Sequence, residues 1–372
     1  MHKWLIRAFA ILALVGGATV TVARQADSRA MVVPKYQHIF VIVDENKGYR
    51  QLMSHPSWTP VIHRLAREYG SATHFYGEVH SSEGNYVAMV GGDTFGIHDD
   101  DAFYCRAGLK DRFCTDAGTP GYANHDLTAT SLMDQLARKG LTWKAYLEDI
   151  PSAGSLVPRW PTKDYPSRGL PSEMYAAKHD AFVNFRSVNR EPYQELRTHL
   201  VGFGELDEDL AADSLPNYAQ IIPNQCNDMH GSDLPDAPSG CKEGDEPSII
   251  RRGDAEIGIL VDKIMHSKVW SSRANAAIVI TFDENNKAER SSGVQGCCGY
   301  DPQSKANFGG GHIVTLVITN HGPRHLIDST PYNHYSLLRT TEAAFGIDEY
   351  LAHAADTALG VVTMTPLFAT AP

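Results

Sequence analysis

Positive charge is scarce in this chain. Against 44 Asp and Glu stand 33 Lys and Arg, a formal net charge of −11 over 372 residues. The basic residues form no patch, which argues against a nucleic-acid partner, because phosphate backbones are held by clustered cations. The six cysteines include no CxxC pair, and this excludes a zinc ribbon. There is no internal repeat and no low-complexity run, so a solenoid is excluded. The apolar stretch at 8–22 is too short and too rich in glycine for a transmembrane span.

Apolar residues make up 42% of the chain and charged residues 21%, the balance of an ordinary globular protein. The first residues have a different character. His2, Lys3 and Arg7 form a basic opening, the apolar stretch follows, and small residues come next at Ala23, Ala26 and Ala30. That is the layout of a secretory signal peptide over residues 1 to about 26, which predicts a periplasmic or secreted protein with no membrane span after cleavage. In an oxidising compartment an even cysteine count reads as disulfides. Cys105 with Cys114 and Cys226 with Cys241 would close short loops, while the adjacent Cys297 and Cys298 either bridge one another or pair elsewhere.

Residues 38–43 read His-Ile-Phe-Val-Ile-Val, the continuous apolar run of a strand covered on both faces. Less pure runs lie at 141–147, 218–222, 276–282 and 313–319, and helical periodicity appears at 60–69, 131–139, 256–266 and 336–345. Strands alternating with helices predict an α/β fold, a mostly parallel central sheet with helices on both faces. Residues 27–372 are expected to form a single catalytic domain. The segments near 92–130 and 150–216 are irregular and are expected to be loop insertions in it.

Ligands of such sheets sit beyond the carboxyl ends of the strands, and polar residues gather there. Glu45 and Asn46 follow the first run, Asn224, Asp228 and His230 follow the run at 218–222, and Asp283 and Glu284 follow the run at 276–282. Most acids cap helices or face water. Carboxylates placed by matched strand ends, however, can converge on a divalent cation, one or two in number. The segment His80-Ser-Ser-Glu-Gly-Asn-Tyr86 opens a short apolar helix closed by Gly91-Gly92. Ser81 or Ser82 would cap it, and Ser82, in the positive end of the helix dipole and near a cation, would be a competent nucleophile. Asn85 could offer its amide to a phosphoryl oxygen. His179, His230 and His312, in tight polar contexts, could hold phosphate oxygens or protonate a leaving alkoxide.

These segments together resemble the phosphoesterase family of bacterial phospholipases C and acid phosphatases, whose fold and metal plan are alkaline phosphatase-like. The stretches that carry the resemblance are HIFVIVDEN at 38–46, HSSEGNYVAMVGG at 80–92, WKAYLEDIP at 143–151, YAAKHDAFVNF at 175–185, LPNYAQIIPNQCNDMHG ending at 231, ITFDEN ending at 285 and YNHYSLLRTTEAAFG at 332–346. The resemblance implies Ser82 as nucleophile and metal ligand, with Asn85 contacting phosphate. It implies Glu45, Asn46, Asp283 and Glu284 as the remaining ligands. His179, Asp228 and His230 would line the phosphate pocket or a second metal position, with His80 and His312 as weaker matches. Gly84 and Ser81 stand where the family commonly has proline, so Ser81 remains an alternative nucleophile. The activity implied is hydrolysis of small phosphomonoesters through a phosphoseryl intermediate. The alternatives are a phospholipase C-like phosphodiesterase acting on phospholipid and a catalytically silent binding protein on the same fold.

Overall fold

A computed structural model describes residues 32–167, 169–190, 196–286, 288–289 and 293–369; the expected signal peptide lies outside them. The chain forms β1 (His38–Asp44), β2 (Gly70–Gly77), β3 (Trp143–Leu147), β4 (Arg159–Trp160), β5 (Tyr175–Ala176), β6 (Leu200–Val201), β7 (Tyr218–Ile222), β8 (Ala276–Phe282), β9 (Gly311–Thr319), β10 (Leu326–Asp328) and β11 (Tyr332–Asn333). The main sheet runs β10-β2-β9-β8-β1-β7-β3-β6, with β11 beside β2, while β4 and β5 pair separately. Only β9 opposes its neighbours; the other pairings in the main sheet are parallel. This is the mostly parallel α/β architecture the apolar runs predict.

The centre of the sheet follows from composition. All seven residues of β8, and six of seven in β1, are buried, so both faces are covered. Each fully buried Ile or Val there contributes about 1.5–3 kcal/mol. Two groups of helices do the covering. Pro60–Glu68 packs on Glu246–Met265, and Ser82–Gly91 packs on His334–Ala344 and Leu132–Arg138. The helix Ser82–Gly91 is buried along its whole length and ends on Gly92, whose φ of 74° is the left-handed conformation that glycine adopts without a Cβ penalty. Asn333 caps the last long helix through a hydrogen bond from Ser336 N at 3.0 Å.

The long connection from 93 to 131 holds no helix or strand. Cys105–Cys114 closes a loop inside it, Cys226–Cys241 closes another after β7, and Cys297 is bonded to its neighbour Cys298. Among the described residues, no helix is long and apolar enough to cross a membrane.

Candidate active site

The carboxyl ends of β1, β7 and β8 meet at one edge, and backbone bonds lock their outgoing loops together. Glu45 N donates to Asp228 O at 2.7 Å and Asp283 N to Asp44 O at 3.1 Å. The side chains interlock as well. Asn46, held at φ 53°, donates its backbone N–H to Asp283 Oδ1 at 2.8 Å and its amide to Glu45 Oε2 at 3.0 Å. Ser82 Oγ, in the first turn of its helix, donates to Glu45 Oε2 at 2.9 Å. Tyr86, one turn on, donates its hydroxyl to Glu45 Oε1 at 2.6 Å. Ser82 is buried and Ser81 partly exposed. Ser81 occupies the N-cap position, yet its side chain makes no capping bond. Of the two expected cap residues, neither caps by side chain, and Ser82 spends its hydroxyl on the acid.

His179 lies between two carboxylates, with Nε2 at 3.3 Å from Glu45 Oε1 and Nδ1 at 3.6 Å from Asp228 Oδ2, and its ring stacks on Tyr86. Asp228 accepts from His230 N at 2.7 Å, and His230 Nδ1 bonds Gly231 O at 2.8 Å. His80 pairs with Glu284. The geometry therefore brings Glu45, Asn46, Ser82, Asp228, His179, His230, Asp283, Glu284 and His80 into one locality. A cavity of about 610 Å³ opens on it, lined in part by Asn46, Lys47, Ser81, Ser82, His230 and Glu284.

Two expected residues have other work. Asn85 accepts from Glu78 N at 2.7 Å and Val79 N at 3.1 Å and donates to Val79 O at 2.9 Å and Ser81 O at 3.3 Å. Its amide hydrogens brace the loop that carries the nucleophile. His312, near the start of β9, bonds Thr73 O through Nε2 at 2.8 Å and stacks on Tyr49 at 4.3 Å, and it does not line the cavity. The glycines before it carry that motif's structural meaning. A Cβ on Gly310 would lie 2.6 Å from Val79 O, and one on Gly311 would strike the Asn285 amide. Gly84 is explained in the same way, because a Cβ there would meet Ile97 O at 2.4 Å.

Three residues escaped sequence reasoning. Lys47 is buried and Lys178 partly buried, and both line the cavity beside the acids. Lys178 lies in an irregular segment and Lys47 directly after the Glu-Asn pair, so nothing in their spacing marked them. Tyr86 looked like one more apolar residue of a buried helix.

Burial, reinforced by mutual repulsion, pushes the carboxyls of Glu45 and Asp228 well above their usual range. Burial raises Asp283 too, against the N–H of Asn46 and the hydroxyl of Ser82. Burial and the Lys178 charge lower His179 well below the usual imidazole range and His230 to about 3, so both rings are neutral. Asp228 Oδ2 and Asp283 Oδ2 are buried without a hydrogen-bond partner. Hard oxygens, mutual repulsion and orphaned carboxylate atoms are what a divalent cation would relieve, so the residues fit one. Among the described residues, one grouping of three carboxylates brings its oxygens within 4.8 Å of one another, and it lies elsewhere, at Asp99, Asp101 and Asp116. There Asp101 is occupied by Thr115 and Tyr122, and Asp99 by His125.

The chain matches the phosphoesterase family over residues 55–348, a span that begins after Glu45 and Asn46. It is 24% identical over 354 residues to the phosphatidylinositol-3-phosphatase of Mycobacterium tuberculosis, covering 93% of this chain and 92% of that one. It is 25% identical over 291 residues to the phosphate-repressible acid phosphatase of Penicillium chrysogenum, covering 77% of this chain but only 54% of the longer fungal one. The solved PsFucS1 sulfatase from Pseudoalteromonas sp. is similar in fold alone, with a TM-score of 0.50 and 13% identity over 86% of this chain and 69% of that structure. A family match over most of its length, on a sheet whose strand ends gather acids around a buried serine, places this chain in the phosphoesterase family as a hydrolase of phosphoric ester bonds.

Proposed function

We propose that this protein is an exported, metal-dependent phosphatase that attacks phosphomonoesters with Ser82 and passes through a phosphoseryl intermediate. The single observation that carries the reading is the Ser82 hydroxyl. It is buried, lies in the first turn of a helix, opens on the cavity and is aimed at Glu45 Oε2 from 2.9 Å. A binding protein on the same fold needs no such hydroxyl. The names of the relatives, phosphatases of monoester type, favour monoesters over the diesters of a phospholipase C. The three disulfides and the leader-like first residues support export to the periplasm or beyond.

Glu45, Asn46, Asp283 and Glu284 would hold the cation, with Asp228 and His179 next in line for a second. When bound, the cation neutralises charge on the phosphoryl oxygens and eases ionisation of the serine. The chain's own groups do the rest. Ser82 Oγ attacks phosphorus as its proton passes toward Glu45 Oε2, and the ester P–O bond breaks, the leaving oxygen taking a proton from solvent to depart as the alcohol. Water then attacks the phosphoseryl group, the bond from phosphorus to Ser82 breaks, and the serine regains its proton. Lys178 and the Asn46 amide supply N–H groups to the phosphoryl oxygens. Asn85 and Tyr86 position the nucleophile and its acid.

Hydrolysis of p-nitrophenyl phosphate beside p-nitrophenylphosphorylcholine, with and without chelator, tests this in wild type, Ser82→Ala and Ser81→Ala. Chelator-sensitive monoester hydrolysis is expected, lost on the order of 10⁴-fold in Ser82→Ala and retained in Ser81→Ala. Loss in Ser81→Ala alone would overturn the nucleophile, and preference for the diester would overturn the substrate.

A further inference from the structure

The reaction cavity has a second arm. Asp100, Arg159, Glu173 and Lys178 line both it and an adjoining recess of about 420 Å³. The two arms differ in charge. Around Ser82 the lining is acidic, with Asp233, Glu243, Glu246 and Glu284, and Lys47 there is already paired with Glu246 at 3.3 Å. In the recess, Arg112 and Lys163 join Arg159 and Lys178 against Asp100, Asp101 and Glu173, four cations to three acids, where the arm around Ser82 has acids in excess.

The acids of the recess leave these cations with capacity to spare. Asp100 is taken by Lys178 at 3.0 Å and Glu173 by Arg159 Nη1 at 2.9 Å. Asp101 is filled by the N–H and hydroxyl of Thr115, Asp116 N and Tyr122 OH. A guanidinium carries five N–H donors, and Glu173 engages one of those of Arg159. Arg112 pairs with Asp164, and its guanidinium lies over the Phe113 ring at 4.4 Å, which fixes its plane. Lys163 has no carboxylate partner among the described residues. The stretches at 93–131 and 150–179, which contribute nothing to the main sheet, deliver these side chains.

We propose that the recess is a second anion subsite, which takes a phosphate or carboxylate carried on the alcohol part of the substrate. It rests on the phosphoester reading above. A substrate with two anionic groups cannot seat both in the acidic arm, where one is accommodated through a cation; the basic arm receives the other. The enzyme therefore prefers phosphoesters that bear a further negative group, and Arg112 and Lys163 set that preference.

The test is kcat/KM for fructose 6-phosphate, 6-phosphogluconate and fructose 1,6-bisphosphate, in wild type and in Arg112→Ala/Lys163→Ala, both exposed positions. A preference of at least about tenfold for a doubly anionic substrate over fructose 6-phosphate is expected, carried by KM and collapsing toward unity in the double variant. Preference for the bisphosphate alone assigns the subsite to phosphate, and preference for 6-phosphogluconate alone assigns it to carboxylate. A wild-type ratio near one, or a ratio that survives the double substitution, overturns the subsite. Should wild type hydrolyse neither these nor p-nitrophenyl phosphate, the phosphoester reading fails first. Calorimetric binding of fructose 1,6-bisphosphate to Ser82→Ala then decides the recess: binding abolished by the double substitution supports it, and absent or unchanged binding overturns it.

Discussion

Glu45 is the residue on which the site turns. Four neighbours aim at its two oxygens: Ser82 and Asn46 at one, Tyr86 and His179 at the other. Such crowding fixes the orientation of a carboxylate that desolvation would otherwise leave protonated and mobile. Tyr86→Phe removes one donor with no loss of ring packing. It should lower activity about 10–100-fold, with a matching loss of metal affinity and an unchanged fold, read by metal-titrated kinetics. Wild-type kinetics in that variant would show that Tyr86 is only packing. The same scale explains what was legible in the sequence. Glu45, Asn46 and Asp283 stand where strands end, a position that composition reveals. Lys178 comes from an irregular turn, and its approach to the acids is a product of tertiary folding. His312 was singled out for its tight polar context, whereas the glycines before it are there to let two backbones approach.

At the scale of elements, the nucleophile helix is tied to the long connection beside it by a buried charge. His125 lies between Glu83 Oε1 at 2.9 Å and Asp99 Oδ1 at 3.0 Å, and Asn184 also donates to Glu83. Burial alone would lower the imidazole, but the two carboxylates outweigh it and hold it at about 10 against 6.5 in an unfolded chain. Its contribution to stability is therefore complete below pH 6.5 and is lost as pH rises through 10. His125→Ala should cost about 3 kcal/mol at pH 6 by denaturant unfolding, with the gap to wild type closing as pH approaches 10. A gap that does not depend on pH would assign the loss to packing. The closing helix shows the same pH dependence in an acid. Burial raises Glu342 to about 8 from 4.5, against a hydrogen bond from Leu351 N. Its protonated form favours the folded state below pH 4.5, and that advantage fades as pH rises through 8. Glu342→Gln should then gain stability over wild type at pH 8.5 but not at pH 4. Strands were legible in the sequence in proportion to their purity. β1, β7 and β8 are mostly apolar, whereas β2 reads Gly-Ser-Ala-Thr-His-Phe-Tyr-Gly and carries no period. β6, β10 and β11 are two or three residues long and show no pattern. The reversed direction of β9 is set by its neighbours, so its own residues could not show it.

At the scale of the molecule, the cross-links fall on the irregular segments, while the sheet rests on its core. Cys105–Cys114 spans nine residues and Cys226–Cys241 fifteen, small loops whose closure contributes about 2–3 kcal/mol each. Reduction should therefore leave the sheet folded, as read by far-ultraviolet dichroism, and loosen the segments that shape the cavity. KM should rise more than kcat falls. Global unfolding on reduction would show that the core is weaker than its burial implies.

The reversal of β9 has a further consequence. β8 leaves the sheet at the reaction edge and β9 re-enters at that same edge, so the excursion from 283 to 310 begins and ends beside the nucleophile. Asn285 N bonds Gly310 O at 2.7 Å across its neck. It is an awning, its described residues tied to the loop after β1 through Asn286 and Gln51 and to the opposite side through Thr94 and Tyr335. A change of length between those ties would alter which alcohols fit beneath it, while the stitched neck leaves the strand ends where they are.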